Sequence, residues 1–210
     1  EQLQTPTAAL FTEKRGDNDY LLLMLMPPQV DDTTEPPARE LIFVLDTSGS
    51  MAGPSIIQAR KALILAISRL TEHDRFNVIE FNSHARRLFH QAVQADSRHR
   101  DKAIRFVQSL QAEGGTEIAE ALELALDGKE THERIRQVIF LTDGSVGNEK
   151  ALLAMINSRL GDSRLFTVGI GSAPNSYFMS RAAAIGRGSF TYIGKVGEVQ
   201  ERMLELFQKL

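Results

Sequence analysis

Five consecutive apolar residues, Leu41-Ile42-Phe43-Val44-Leu45, run directly into Asp46-Thr47-Ser48-Gly49-Ser50-Met51. A strand covered on one face alternates apolar and polar residues, whereas a strand covered on both faces reads as an unbroken apolar run. Leu41–Leu45 therefore predicts a central strand of a parallel sheet, with D-x-S-x-S as the loop at its carboxyl end. In open α/β sheets the ligand crevice lies outside such ends. One carboxylate and two hydroxyls are delivered there together. These are hard oxygen donors, of the kind that suits Mg²⁺, Mn²⁺ or Ca²⁺.

The rest of the chain repeats the pattern. Strands are expected at Asp19–Met26, Arg75–Phe81, Ile135–Thr142, Arg164–Ile170 and Ser189–Ile193, with a short edge strand at Arg86–Phe89. Helices are expected at Ser55–Leu70, Asp101–Leu110, after Gly114-Gly115-Thr116, and at Glu149–Arg159, Ser176–Ile185 and Val196–Leu210. Strands alternating with helices of this length imply right-handed βαβ crossovers. The fold class is thus α/β, a doubly wound, Rossmann-like, mostly parallel sheet flanked by helices, with one short antiparallel edge strand and an extra N-terminal strand. Residues 27–37 carry four prolines and three acids and read as an extended linker. We assign residues 1–38 to an N-terminal extension and 39–210 to the main domain. Glu1 in place of an initiator Met leads us to expect a piece of a longer protein.

Composition removes several function classes. The chain has 210 residues, no cysteine and a net charge of −3. Disulfides and thiolate chemistry are excluded, and the charge does not favour nucleic acid or an anionic membrane. The basic run Arg98, Arg100, Lys102 and Arg105 is interrupted by Asp101 and reads as a solvated helix face. No apolar run reaches the length of a membrane span. The five histidines show no metal spacing, and Gly169-Ile170-Gly171 lacks the third glycine of a dinucleotide loop.

Two further loops supply oxygen groups: Thr116 after its paired glycines, and Asp143 in Leu141-Thr142-Asp143-Gly144 at the end of another apolar strand. Asp46 and Asp143 at neighbouring strand ends would repel unless a cation or proton sat between them. DTSGSM, GGT and TDG, in this order and on these elements, resemble the von Willebrand factor type A domain across about residues 39–210. The longer runs FVLDTSGSM, GGTEIAEAL and IFLTDG are similar to the A domain of inter-alpha-trypsin-inhibitor heavy chains and their bacterial relatives. In those proteins the A domain follows a β-rich domain, which the strand and linker of residues 19–37 resemble as a connection.

The resemblance implies a metal-ion-dependent adhesion site formed by Asp46, Ser48, Ser50, Thr116 and Asp143. It implies Mg²⁺, with Mn²⁺ or Ca²⁺ as substitutes, and a partner protein whose acidic side chain completes the metal shell. On that footing the chain is expected to be non-enzymatic and monomeric in isolation. Its parent is expected to be extracellular, cell-surface or periplasmic. Glu117 departs from related sequences, which often carry Asn there. Two other readings stay open. In one, the ion serves only to tie loops together. In the other, the site belongs to a metal-dependent hydrolase. The hydrolase reading lacks the second Asp that haloacid-dehalogenase-type enzymes place two residues after the first, since that position is Ser48.

Overall fold

The computed structural model describes residues 5–27, 37–128, 133–144 and 146–210. Most of the proline-rich linker, at 28–36, lies outside the described residues, as does His132. The chain divides into two compact units, Glu1–Pro37 and Ala38–Leu210.

In the first unit, β1 (Thr7–Arg15) and β2 (Asn18–Met26) pair antiparallel. Gly16 takes a positive φ of 59° in the two-residue turn between them, the conformation a tight hairpin demands of its first turn residue. A pair of strands thus replaces the single N-terminal strand expected from the sequence. The signal for β1 is missing because strand periodicity comes from burying one face. Every residue of β2 is exposed, and its apolar residues Leu21 to Met26 keep 46–71% of their surface.

The second unit begins with β3 (Arg39–Asp46), α1 (Pro54–Ser68) and β4 (Arg75–Phe81). Two short strands follow, β5 (Ala85–Arg87) and β6 (Val93–Gln94), then α2 (Ser97–Ser109) and α3 (Ile118–Ala125). Next come β7 (Ile135–Thr142), α4 (Glu149–Arg159) and β8 (Arg164–Ile170). The unit ends with α5 (Ser176–Ile185), β9 (Arg187–Ile193) and α6 (Val199–Phe207). The sheet order is β5-β4-β3-β7-β8-β9, with β6 also on β4. The five long strands run parallel, and β5 and β6 are antiparallel to β4.

Alternate residues of β3 enter two cores, which is why its sequence shows no alternation. Leu41, Phe43 and Leu45 pack with Leu63 of α1, Val107 of α2 and Met203 of α6. Ile42 and Val44 pack with Leu122 of α3, Ile156 of α4 and Phe178 of α5. Each such side chain contributes about 1.5–3 kcal/mol of burial. From β3 the chain moves to β4 on one side and later to β7 on the other, so the strand order reverses between β3 and β7. Their carboxyl ends, carrying Asp46 and Thr142, flank the crevice that this reversal opens.

Boundaries differ from expectation where a side chain caps a helix. α2 starts at Ser97, one turn before Asp101, because the Asp96 carboxylate accepts from the His99 backbone N–H at 2.8 Å. The closing helix is broken into a 3₁₀ turn at Val196–Glu198 and then α6, with Glu198 Oε2 accepting from Gly194 N–H at 3.1 Å. The basic run on α2 is largely solvated, as expected, with Arg98, Lys102 and Arg105 exposed.

At the far edge, β9 approaches β8 closely. A Cβ added at Gly188 would lie 2.2 Å from the Leu165 carbonyl oxygen, a backbone atom with no freedom to yield. Gly188→Ala is therefore expected to cost about 1–3 kcal/mol through overpacking, read as a lower urea midpoint at unchanged slope.

Candidate metal centre

Asp46 closes β3 and is fully buried. Its Oδ1 accepts from the Ser48 backbone N–H at 2.8 Å, and its Oδ2 accepts from the Thr142 hydroxyl at 2.5 Å. The Thr142 oxygen in turn accepts from Gly144 N–H at 2.9 Å. Thr142 thus braces the carboxylate from the neighbouring strand and sets the start of the loop that carries Asp143. Sequence reasoning passed over Thr142. Its signal is a hydroxyl as the last residue of a central strand, one place before the aspartate.

Ser48 is buried and Ser50 is exposed, in the single 3₁₀ turn region that follows Asp46. Their hydroxyl oxygens lie 3.0 Å apart. The Thr116 loop is stitched to this turn by two backbone hydrogen bonds. Gly49 N–H donates to Gly114 at 3.1 Å, and Glu113 N–H donates to Thr47 at 2.8 Å. Gly114 has a φ of 76°, and a Cβ there would meet Ser83 Oγ at 2.8 Å. Ser83 Oγ also accepts from Gly115 N–H at 2.8 Å, and Glu117 N–H donates to the Asn82 carbonyl at 2.7 Å. The turn after β4 therefore holds up the Thr116 loop from behind, a second support that the sequence reading missed. Thr116 itself is half-buried, while Glu117 is exposed at the start of α3.

Asp143 is half-buried, and its carbonyl accepts from Asn175 N–H at 3.1 Å. Its charge reaches Asp46. Burial is the main force pushing the Asp46 carboxyl above the usual carboxylate range. Hydrogen bonds from Ser48 and Thr142 oppose it, and Asp143 adds a further upward push. A buried carboxylate in that position is relieved by a cation.

The donor set fits a small hard cation. With Mg–O distances of about 2.1 Å, adjacent ligands of an octahedron sit about 3.0 Å apart. The two serine hydroxyls sit at that separation while hydrogen-bonded to each other, so a cation could replace their shared proton contact without moving either oxygen far. Among the described residues, no group of three or more His, Cys, Asp or Glu side chains has a metal-holding arrangement. The candidate set named from the sequence is instead two carboxylates and three hydroxyls, donors that suit Mg²⁺ or Ca²⁺ rather than Zn²⁺ or copper. Beside it opens a cleft of about 510 Å³, lined by residues including Ser50, Ser55, Asp143, Gly171 and Asn175. No Lys, Arg or His lines that cleft among the described residues.

A family model described as von Willebrand factor type A domain matches residues 39–192. A von Willebrand factor A domain-containing protein of Dictyostelium discoideum is 31% identical over 168 residues, covering 80% of this chain, with 18% of its own length. Inter-alpha-trypsin inhibitor heavy chain H4 of Homo sapiens is 30% identical over 207 residues, covering 92% of this chain, with 22% of its own length. A solved structure of a von Willebrand factor type A protein from Catenulispora acidiphila superposes with a TM-score of 0.77 at 23% identity, covering 97% of this chain, with 49% of that one. The chain thus spans about a fifth of the length of these curated relatives.

Proposed function

The chain belongs to the von Willebrand factor type A family, and from that premise we propose that it is a metal-dependent protein-binding module rather than an enzyme. The family typically mediates protein–protein interactions. The observation that carries the finer reading is the pair of serine hydroxyls held 3.0 Å apart in front of a buried, doubly hydrogen-bonded Asp46. Ser48 and Ser50 would hold Mg²⁺ through their hydroxyls, with Thr116, Asp143 and Asp46 contributing directly or through water. When bound, the ion supplies an electron-poor site that a partner carboxylate completes. Neutral hydroxyls leave more of the ion's charge for that partner than a cage of carboxylates would. The protein's own work is to orient these groups, and Thr142 and the turn at Asn82-Ser83 do so.

Ser48 in place of a second Asp, and the lack of a basic side chain among the described residues lining the cleft, support binding over hydrolysis. The resemblance to the A domains of inter-alpha-trypsin-inhibitor heavy chains supports a parent that acts outside the cytoplasm. Among the described residues no helix is long and apolar enough to cross a membrane.

The test is titration calorimetry with Mg²⁺ and Mn²⁺, followed by capture of acidic peptides on the immobilised protein. Saturable metal binding lost in Ser48→Ala, with peptide retained in Mg²⁺ and released by chelator, is the expected result. Absence of metal binding sinks the proposal. Metal binding without chelator-sensitive retention would leave an ion that only ties the loops together.

A further inference from the structure

At the opposite pole of the sheet, the starts of three adjacent strands bring charges together. Parallel register places Arg75 of β4 and Arg136 of β7 beside Glu40 of β3, one on each side. With Arg87, Asp127 and His90, they line a cavity of about 180 Å³. The room equals that of several water molecules, enough for one small anion and too little for an organic cofactor.

The pairing in this cavity is incomplete. Arg136 Nη2 donates to Asp127 at 3.0 Å, and its Nη1 lies 3.4 Å from a Glu40 oxygen. Arg87 Nη2 reaches the other Asp127 oxygen at 2.6 Å. Arg75 donates to the Ala92 carbonyl at 2.5 Å, and no ion pair of Arg75 is found among the described residues. Among the described residues lining the cavity, three guanidinium groups and two carboxylates are present. Arg136 is only 6% exposed, yet its Nε–H is buried with no hydrogen-bond partner. Closing the C-terminus of α3 accounts for part of the cluster, since Arg87 and Arg136 donate to the Leu124 and Ala125 carbonyls. That role uses the Nη groups and leaves Arg136 Nε without a partner among the described residues, while Arg75 spends one Nη on the Ala92 carbonyl and its charge is met by no carboxylate among them. A buried donor without an acceptor is costly.

We propose that this cavity binds a small oxyanion, a phosphate or carboxylate group, between Arg75 and the Nε–H of Arg136. Guanidinium groups suit such oxygens in geometry and charge, and one bound oxyanion would supply both the missing acceptor and the missing negative charge. The site is separate from the proposed metal site, because Glu40, Arg75 and Arg136 sit where the parallel strands β3, β4 and β7 begin, whereas Asp46 and Asp143 sit where β3 and β7 end.

The test uses the protein freed of divalent ions, with arginine Nε–Hε resonances followed by NMR. Inorganic phosphate and sodium acetate are titrated in separate arms, against sodium chloride at matched ionic strength. A saturable shift of the Arg136 Nε–Hε signal in the phosphate or acetate arm, absent with chloride, is expected. Arg75→Gln should weaken that binding at least tenfold. Arg75 is half-buried and also holds the Ala92 carbonyl, so the melting temperature of the variant without anion is measured alongside, and the affinities are compared at a temperature where both proteins are fully folded. Saturation by phosphate alone identifies a phosphate-type ligand, and by acetate alone a carboxylate. No saturable shift in either arm, an equal response to chloride, or unchanged affinity in Arg75→Gln would overturn the assignment.

Discussion

Asp46→Asn is expected to abolish stabilisation by Mg²⁺ while leaving the protein folded. A ligand that binds only the folded state adds about 2.7 kcal/mol at a hundred times its Kd. The wild type should show that gain as a rise in Tm with Mg²⁺, and the variant should show none. The isosteric change keeps one carbonyl oxygen for Ser48 N–H, which Asp46 Oδ1 accepts at 2.8 Å. The Thr142 hydroxyl, which donates to Oδ2 in the native site, can turn to accept from the new amide. Loss of metal response is then separable from loss of folding. Thr142→Val tests the brace alone. It keeps the charge and removes the hydroxyl that orients it, and outer hydrogen-bond partners of metal ligands are typically worth about 10–100-fold in affinity. Melting curves with and without Mg²⁺ on the wild type and both variants decide the matter. An unchanged Mg²⁺ response in Asp46→Asn would place the ion somewhere else.

Asp74→Ala should destabilise the fold by about 1–3 kcal/mol, because it strips Arg39 and Thr71 of a shared acceptor while Arg39, with a fifth of its side chain exposed, can still turn to water. Asp74 is 3% exposed. Arg39 grips both of its oxygens, at 3.0 and 3.1 Å, and Thr71 donates to Oδ2 from its backbone N–H at 2.9 Å and its hydroxyl at 3.0 Å. The cluster fixes the start of β3 to the turn before β4. Burial alone would raise the Asp74 carboxyl, but the hydrogen bonds and charge of Arg39, helped by Thr71, hold it below the usual carboxylate range. The folded-state pKa is thus lower than the unfolded value of about 3.9. Its stabilisation is complete above that value and is lost as the pH falls through the folded-state pKa. Urea midpoints measured from pH 7 to pH 3 should drop steeply below about pH 4 in the wild type. In Asp74→Ala the curve should start lower and lose that component of the drop. Equal slopes for the two proteins in this window would refute the assignment.

The sheet was legible in the sequence because its strands are buried on both faces. β4, β7 and β8 fall on the residues that their apolar runs mark. The exposed hairpin left no such mark, and β1 in particular pairs through backbone groups that every residue carries. The two-residue strand β6 is too short to show a period. Of the proposed metal site, the five side chains were named from type and order alone; the structure shows that the loops carrying them are joined, Gly49 to Gly114 and Thr142 to Asp46. The supports could not be picked out. Thr142 and Ser83 brace the site through hydrogen bonds to Asp46 and Gly115, partners distant in sequence, and hydroxyl residues at loop edges are too common to single out. The arginine cavity is equally silent in one dimension, since Arg75 and Arg136 become neighbours of Glu40 only through sheet register.

The backbone bonds that join Gly49 to Gly114 and Glu113 to Thr47 have a practical consequence for redesign. Residues 46–53 and 111–117 behave as one cassette, though more than fifty positions separate them in the sequence. A new recognition loop introduced into either segment alone would break the seam against the other. Specificity on this scaffold should therefore be exchanged by transplanting both segments together, with the Asn82-Ser83 turn carried along as their common backing.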